Sequence, residues 1–437
     1  ETAVRPGVRV TVPFGAGNRT RVAMVLSTSY ESGAGQKLKA IASVLDKEPL
    51  LDDEMLALIP WMKSRCFCTL YDAVKVMIPA GIGYKLVNRY RMNAAFKNYD
   101  REAFTDTAWQ IIVALTAAKN GLTGAELTER LGIEEKSNDL LSLLENGTVI
   151  RENAASRNAA DATTRMVCAV PDFSGKLTPK QQSAFDTLCA IGTVTVRELS
   201  YYTGVSAGII RTLADKGAAE IFEVERFRRP KQEMADIRLP QTLSAEQMNV
   251  ANDILRECDA AEPMVGLLYG VTGSGKTAVF LHVIRHVLTV GKGVIVTVPE
   301  ISLTPQTLAV FTAAFGDTVA VFHSGLSVGE RMDEWKRVRT GRAKIVVGTR
   351  SAVFAPVQNL GLIVMDEEQE SSYESETAPC YHARDIAKYR CMQEEARLLL
   401  GSATPTVETA YWAEKGDYQK ALLRRRYNEN ALPEVLI

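Results

Sequence analysis

The sequence has little net charge, no long apolar run and no paired cysteine motif, and each absence excludes a class of protein. Its 51 basic and 52 acidic side chains leave a formal net charge of -1, so any attraction to nucleic acid must come from local patches. No apolar run reaches the roughly 20 residues that a membrane span needs. The seven cysteines are scattered without a C-x-x-C pair, which disfavours zinc and disulfides and favours a reducing cytoplasm.

A chain of 437 residues is too long for one hydrophobic core, so we expect several domains of mixed α/β and α+β class. Residues 1–104 open with two short alternating strand patterns around a turn and predict a small β-rich domain. Residues 105–231 predict helical modules, and residues 232–437 predict an α/β lobe. Because Glu1 begins neither a signal peptide nor an initiator methionine, we expect the natural start to lie upstream.

An internal repeat occupies the middle of the chain. Residues 123–133 match residues 195–205 position by position, and in each copy a short helix runs into a glycine turn and a second helix. A β-prone tail follows, which is the pattern of a winged helix-turn-helix. Such modules bind DNA or serve as protein–protein spacers, and the basic exit at residues 226–231 favours DNA.

From residue 232 onward apolar runs alternate with amphipathic helices, which indicates a parallel sheet covered on both faces, as in a RecA-like lobe. One loop in it fits G-x-x-x-x-G-K-[ST], the pattern that wraps phosphates with backbone N–H groups. Its predicted ATP-binding residues are Gly270, Val271, Thr272, Gly273, Ser274, Gly275, Lys276 and Thr277. We expect Lys276 to neutralise the β- and γ-phosphates and Thr277 to ligate Mg²⁺.

Two acidic residues follow another apolar strand, where a parallel sheet delivers side chains to a bound ligand. We expect Asp366 to hold Mg²⁺ and Glu367 to orient or deprotonate the attacking water. Upstream, Gln247 has two interpretations: it contacts the adenine, or it forms an ordinary capping box with Ser244.

Three further segments lie at predicted strand ends, at residues 299–306, 348–352 and 401–405. The first two open helices whose free N–H groups can grip backbone phosphates, and Arg350 adds a guanidinium. In this order around the two phosphate and magnesium motifs, they describe the first RecA-like lobe of a superfamily 2 helicase.

The segments Asp-Glu-Glu-Gln-Glu-Ser-Ser-Tyr at 366–373 and Tyr-His-Ala-Arg-Asp at 381–385 narrow the match. They resemble the PriA family of replication-restart helicases. The opening is similar to that family's domain for capturing a DNA 3′ end, at residues 9–15 and 38–41. The resemblance therefore spans nearly the whole chain.

The resemblance implies an ATP-dependent 3′-to-5′ DNA helicase of the bacterial cytoplasm and nucleoid. It would recognise stalled or abandoned forks and initiate primosome assembly for replication restart. Its implied partners are forked and single-stranded DNA, the 3′ end of the nascent leading strand, primosome and helicase-loading proteins, and single-stranded DNA-binding protein. The implied DNA contacts are Gly15, Lys39, Arg350, Tyr373, Tyr381 and Arg384, unless the two tyrosines are simply core.

Four departures from the family stand out. The family's F-D-Y-type strand at the start, part of the 3′-end pocket, is absent, so we expect that pocket to be incomplete. Gln369 replaces the usual histidine, and the first helix-turn-helix repeat is additional. The second lobe, its arginine finger and a zinc-binding segment lie outside these residues, so we expect the chain alone to bind nucleotide weakly and not to unwind DNA. Two other interpretations remain open: a nucleotide-locked fork-binding scaffold, and a double-strand translocase of the chromatin-remodeller kind.

Overall fold

The computed structural model describes residues 4–29, 38–82, 84–95, 101–118, 120–157, 162–230, 242–258 and 265–426. Across these ranges, none of the helices combines the length and the apolar character needed to cross a membrane.

The front region consists of a small antiparallel sheet and two helices. Its elements are β1 (Arg9–Phe14), β2 (Arg19–Met24), β3 (Ser43–Val44), α1 (Asp53–Arg65) and α2 (Leu70–Met77). The sheet has the order β2-β1-β3, and the two predicted strands are both present. Helix α1 buries Leu58, Ile59 and Met62 in the same core cluster as Trp335 and Tyr373, far along the chain. The front helices are therefore packed on the lobe that follows.

Two winged units come next, and they confirm both predicted helix-turn-helix repeats. The first contains β4 (Tyr84–Met92), α3 (Asp106–Ala117), β5 (Leu122–Thr123), α4 (Gly124–Leu131), α5 (Asn138–Glu145) and β6 (Val149–Arg157). The second contains β7 (Thr163–Ala169), α6 (Pro179–Ile191), β8 (Val194–Thr195), α7 (Val196–Thr203), α8 (Ala207–Asp215) and β9 (Ala219–Glu225). Each unit has its own apolar core.

The structure corrects the expected domain boundary after residue 104. Strand β4 pairs with β6 along its whole length, from Tyr84 opposite Arg157 to Met92 opposite Val149. Tyr90 is buried in the core of the first winged unit. The strand belongs to that unit because its partner lies some sixty residues later, and local patterns do not reveal such pairing.

The structure also corrects the role expected of the basic exit of the second winged unit, because two of its arginines bind the lobe that follows. Arg228 donates from its backbone N and its Nε to Oδ2 of the buried Asp333, at 2.8 and 2.7 Å. Arg229 pairs with the exposed Asp317 at 2.5 Å. These guanidinium groups are thus neutralised by the following lobe. Lys231 lies outside the described residues.

The last part is a three-layer α/β lobe. Its elements are α9 (Ala245–Cys258), β10 (Val265–Gly270), α10 (Lys276–Thr289), β11 (Gly293–Thr297), α11 (Pro305–Phe315), β12 (Val319–Phe322), α12 (Val328–Arg339), β13 (Ile345–Gly348), β14 (Leu360–Met365), α13 (Ala383–Gln393), β15 (Arg397–Ser402), α14 (Val407–Lys415) and β16 (Gln419–Leu423).

The seven strands have the order β12-β13-β11-β14-β15-β10-β16, and every pair is parallel. The six predicted apolar strands and the predicted fold class are confirmed. Strand β16 is the one that we did not predict, because its residues Gln-Lys-Ala-Leu-Leu lack a continuous apolar run. It lies at the edge of the sheet, where a strand is paired with a neighbour on one side only.

Two aspartates of the docked exit allow a matched stability test. Replacing Asp333→Ala leaves the Arg228 guanidinium without its buried partner, and we expect a loss of about 2–3 kcal/mol in the free energy of unfolding. Asp317→Ala removes an exposed partner and should leave stability unchanged within error. Urea unfolding of the two variants measures the difference. Equal stabilities would contradict a docked exit.

Candidate active site and nucleic-acid interface

The predicted phosphate loop joins β10 to α10 at the carboxyl edge of the sheet. Gly273 and Gly275 have φ of +81° and +80°, a conformation that side chains other than glycine rarely adopt. Lys276 is the first residue of α10, and its Nζ donates to the carbonyl of Gly270 at 3.1 Å. The hydroxyl of Ser274 is buried and has no hydrogen-bond partner within the described residues. An unpartnered donor in a loop of this shape fits a bound phosphate.

The two carboxylates follow β14 on the same edge. Burial, with the Glu367 charge as a second cause, raises the pKa of Asp366 to about 6. Glu367 has a φ of +47° and places its Oε1 3.6 Å from the Nζ of Lys276. The strained backbone and the lysine together hold the carboxylate against the phosphate loop.

A magnesium ion fits Asp366 and the hydroxyl of Thr277, which is the exposed second residue of α10. Mg²⁺ takes carboxylate and hydroxyl oxygens and keeps waters and phosphate oxygens as its remaining ligands. Among the residues that the structure describes, no group of three or more His, Cys, Asp or Glu is placed to hold a metal ion.

Gln369 links the catalytic carboxylate to the segment after β15, a role that the sequence did not reveal. Its Nε2 donates to Glu367 Oε2 at 3.0 Å, and its Oε1 accepts from the Ser402 hydroxyl at 2.6 Å. A primary amide offers both a donor and an acceptor, so this residue serves both partners at once. The substitution of the family's histidine therefore leaves a connected path between the two motifs.

Gly401 allows β15 to lie close to Phe280 and Asp366. A Cβ there would lie 2.5 Å from the ring of Phe280 and 3.2 Å from Oδ1 of Asp366. Glycine is required because β15 passes so close to the carboxylate edge.

Gln247 forms the capping box, which was the alternative interpretation, and a second contact besides. Its Oε1 accepts from Ser244 N at 2.9 Å, and its Nε2 donates to the carbonyl of Ser274 at 2.9 Å. Both polar atoms of this buried amide are therefore used within the protein. In this structure Gln247 braces the phosphate loop, and its adenine contact stays a prediction, because these two bonds use one of its two N–H groups and one of its two oxygen lone pairs.

The full burial of Tyr373 contradicts its predicted stacking role, whereas Tyr381 lines a cleft with 7% of its surface exposed, and its role stays a prediction. Tyr373 is fully buried, and its hydroxyl lies 2.9 Å from the carbonyl oxygen of Thr297 and 2.7 Å from that of Asp366. The ring of Tyr381 packs edge-on against Phe354 at 5.0 Å. No base can reach the face of Tyr373 in this arrangement, so this residue is part of the core.

Arg384 is likewise a structural residue in this arrangement. It is 9% exposed, and its guanidinium contacts Glu368 at 3.3 Å, Thr409 at 3.1 Å and Glu408 at 2.7 Å. The side chain ties α13 to the start of α14 and to the segment after β14. The linear motif could not distinguish this ionic network from a phosphate contact.

Arg350, a predicted DNA contact, lies on the wall of a cleft. Its guanidinium donates to the carbonyls of Ser372 and Glu374 and lies 6.0 Å from the centroid of the Tyr381 ring. It lines a cleft of about 710 Å³ between the front region and the carboxyl edge of the lobe, which Lys75 also lines. Half-buried and held by two carbonyls, Arg350 presents a fixed positive charge to that cleft.

Gly15 and Lys39 are brought together in the front sheet region, as the resemblance implied that they share a ligand. The Nζ of Lys39 donates to the carbonyl of Gly15 at 2.6 Å, and both residues are exposed. A Cβ on Gly15 would meet no atom within 4 Å, so the space beside it is open.

Comparison with known families gives two matches along the chain. A family model described as the PriA 3′DNA-binding domain (3′BD) matches residues 1–79, and one described as DEAD/DEAH box helicase matches residues 244–411. The first match ends before β4, in agreement with the place of that strand in the winged unit.

Individual proteins extend the similarity over the whole chain. The replication restart protein PriA of Bacillus subtilis is 33% identical over 439 residues, which cover 99% of this chain and 53% of that protein. The replication restart protein PriA of Synechocystis sp. is 32% identical over 453 residues, with coverages of 99% and 53%. The chain thus spans about half the length of these relatives.

Among solved structures, the similarity is partial. A structure of RecG bound to a three-way DNA junction matches 45% of this chain and 25% of that chain, at 24% identity and a TM-score of 0.34.

The burial of Tyr373 predicts a stability effect. Tyr373→Phe removes the hydroxyl from two buried carbonyls, and we expect the free energy of unfolding to fall by about 1–2 kcal/mol. Tyr71→Phe, at a tyrosine that is 71% exposed, is the matched control and should change little. Chemical denaturation monitored by circular dichroism compares the two. A Tyr373→Phe protein as stable as the control would show that the hydroxyl is solvated.

Proposed function

Because the chain belongs to the PriA family over the half of those proteins that it spans, we propose that it is the DNA-binding and ATP-binding part of a replication-restart helicase. The proposed activity is ATP-driven 3′-to-5′ unwinding of DNA at stalled or abandoned forks. The proposed partners are forked DNA with a nascent 3′ end, primosome and helicase-loading proteins, and single-stranded DNA-binding protein. The proposed location is the bacterial cytoplasm at the nucleoid.

The observation that carries the proposal is the chain of contacts from the phosphate loop to the end of β15. Lys276 contacts Glu367, Glu367 accepts from Gln369, and Gln369 accepts from Ser402. A movement of the segment after β15 would therefore displace the carboxylate beside the phosphates. Such a connection is what a motor needs to couple its DNA grip to hydrolysis.

The residues divide the chemistry of ATP hydrolysis among them. Mg²⁺, when bound, would neutralise the charge that develops on the phosphates. Lys276 and the N–H groups of residues 271–275 bind the phosphates, while Asp366 and Thr277 hold the metal ion. Glu367 orients the attacking water, and Gln369 keeps that carboxylate in place.

For the DNA, we propose a path through the cleft that contains Arg350. The cleft lies between the front region and the carboxyl edge of the lobe, so a strand could contact both. Gly15 and Lys39 would hold the 3′ end, since an exposed ammonium beside an open backbone suits a terminal nucleotide. We assign this end-binding role to residues 1–79 and DNA contact to the winged units.

The separation of the two sites can be tested at Lys276. Lys276→Ala should lower DNA-stimulated ATP turnover by about a hundredfold or more in the natural protein, because the phosphates lose their principal cation. Fork binding should change less than about threefold, because Lys276 binds the nucleotide phosphates and its loss removes no charge-assisted contact to DNA. Lys344→Ala is the control, at an exposed lysine before β13. Turnover by phosphate release and binding by fluorescence anisotropy measure both effects. A parallel loss of fork binding would contradict separate sites.

The end-binding assignment is tested at Lys39. Lys39→Ala should weaken binding to forks with a free 3′-hydroxyl by about three- to tenfold, as expected for a single charge-assisted hydrogen bond. Binding to forks whose 3′ end is blocked should stay the same. Lys47→Ala, at another exposed lysine of the front region, is the matched control. If the unmodified protein bound free and blocked ends equally, the assignment would be wrong.

A further inference from the structure

The two winged units have equivalent helices with different exposed faces. Helices α4 and α7 both begin with a threonine–glutamate capping box and end at a glycine in the left-handed conformation, with φ of +70° and +69°. When the two helices are aligned on these shared ends, three exposed positions carry different types of residue. Arg197, Tyr201 and Tyr202 of α7 stand where α4 has Ala125, Glu129 and Arg130.

The two tyrosines are not required by the fold. Tyr201 is 84% exposed and Tyr202 is 63% exposed, with ring centroids 5.8 Å apart at an interplanar angle of 69°. The same helix in the first unit folds with charged residues at both places. Exposed aromatic rings contribute little to stability, so a contact with another molecule is the natural reason for them.

The arginine beside the rings suits a phosphate-bearing ligand. Arg197 precedes Tyr201 by four residues, which places both on one face of the helix. Within the described residues Arg197 makes no ion pair. The nearby Glu198 carboxylate is engaged, because it accepts from the backbone N and the hydroxyl of Thr195 at 3.0 and 2.8 Å. Glu198 keeps its negative charge but is held at the helix N-terminus, where the helix dipole offsets it, so Arg197 is the cation on this face that remains for an external anion.

The size of the patch favours nucleobases over a protein. On α7 the apolar exposure is limited to the two rings, and the residues beyond them, Thr203, Gly204 and Ser206, are small or polar. A stable protein interface needs about 800 Å² on each partner and an apolar centre. Bases stacked along a single strand need less area, and two rings beside one guanidinium provide it.

We propose that Arg197, Tyr201 and Tyr202 form a stacking platform for single-stranded DNA on the second winged unit. The inference rests on the proposed function in that it takes DNA as the ligand. It adds a binding mode, since the platform lies on the first helix of the helix-turn-helix and not on α8, the helix that enters a groove in that fold. The strand would be held through its bases without sequence preference.

The test exchanges residues between the repeats. Tyr201→Glu with Tyr202→Arg installs the residues that the equivalent helix already carries, so the helix should still fold. We expect this double variant of the full chain to bind labelled oligo(dT) at least about tenfold more weakly than the unmodified chain. Arg197→Ala should weaken binding and make it less sensitive to salt. Tyr411→Arg, at an exposed tyrosine of α14, is the control and should bind normally.

Fluorescence anisotropy at two salt concentrations measures binding, and a thermal melt of each variant checks the fold. Equal affinity of the double variant and the unmodified chain would overturn the platform while leaving the proposed function intact, and would indicate that the tyrosines contact a protein. The platform would also be overturned if the double variant bound weakly and melted at a lower temperature, and if restoring either tyrosine alone did not recover the affinity. Failure of the unmodified chain to bind oligo(dT) would overturn both proposals.

Discussion

Parallel pairing of the strands in the lobe is the constraint on which the rest of the site depends. In a parallel sheet all carboxyl ends lie at one edge, so segments distant in sequence meet there. β10 brings the phosphate loop, β14 brings Asp366 and Glu367, and β15 brings Ser402. Because β15 lies between the other two, the contact from Ser402 through Gln369 to Glu367 follows from the strand order.

A few buried ionic groups hold the front region and the winged units to this lobe. Arg390 is fully buried, pairs with Glu54 of α1 through two bonds of 2.6 and 2.8 Å, and donates to the carbonyls of Val353 and Ala355. Those carbonyls follow Arg350 on the cleft. Charges in such an environment are stabilising only when every partner is in place, so they select one docking geometry. The position of the front region is thereby connected to the wall of the cleft.

The winged units show what duplication leaves constant and what it changes. The capping boxes at Thr123 and Thr195 and the glycines that end each helix are kept, because they satisfy backbone groups that any copy of the motif must satisfy. The exposed positions are under no such demand. Their divergence, with Tyr201 and Tyr202 in one copy only, is therefore the feature that points to a ligand.

The sequence by itself determined the class of fold, the six apolar strands, the phosphate loop with Lys276, and Asp366 with Glu367, because these depend on local periodicity and on residue types at fixed spacing. Only the tertiary structure decided that Tyr373 and Arg384 are held inside the protein and that Gln247 contacts the phosphate loop. It also decided that β4 joins the first winged unit and that Gln369 bridges two motifs. Burial and long-range hydrogen bonding depend on which distant segments meet, and a linear motif carries no record of those meetings.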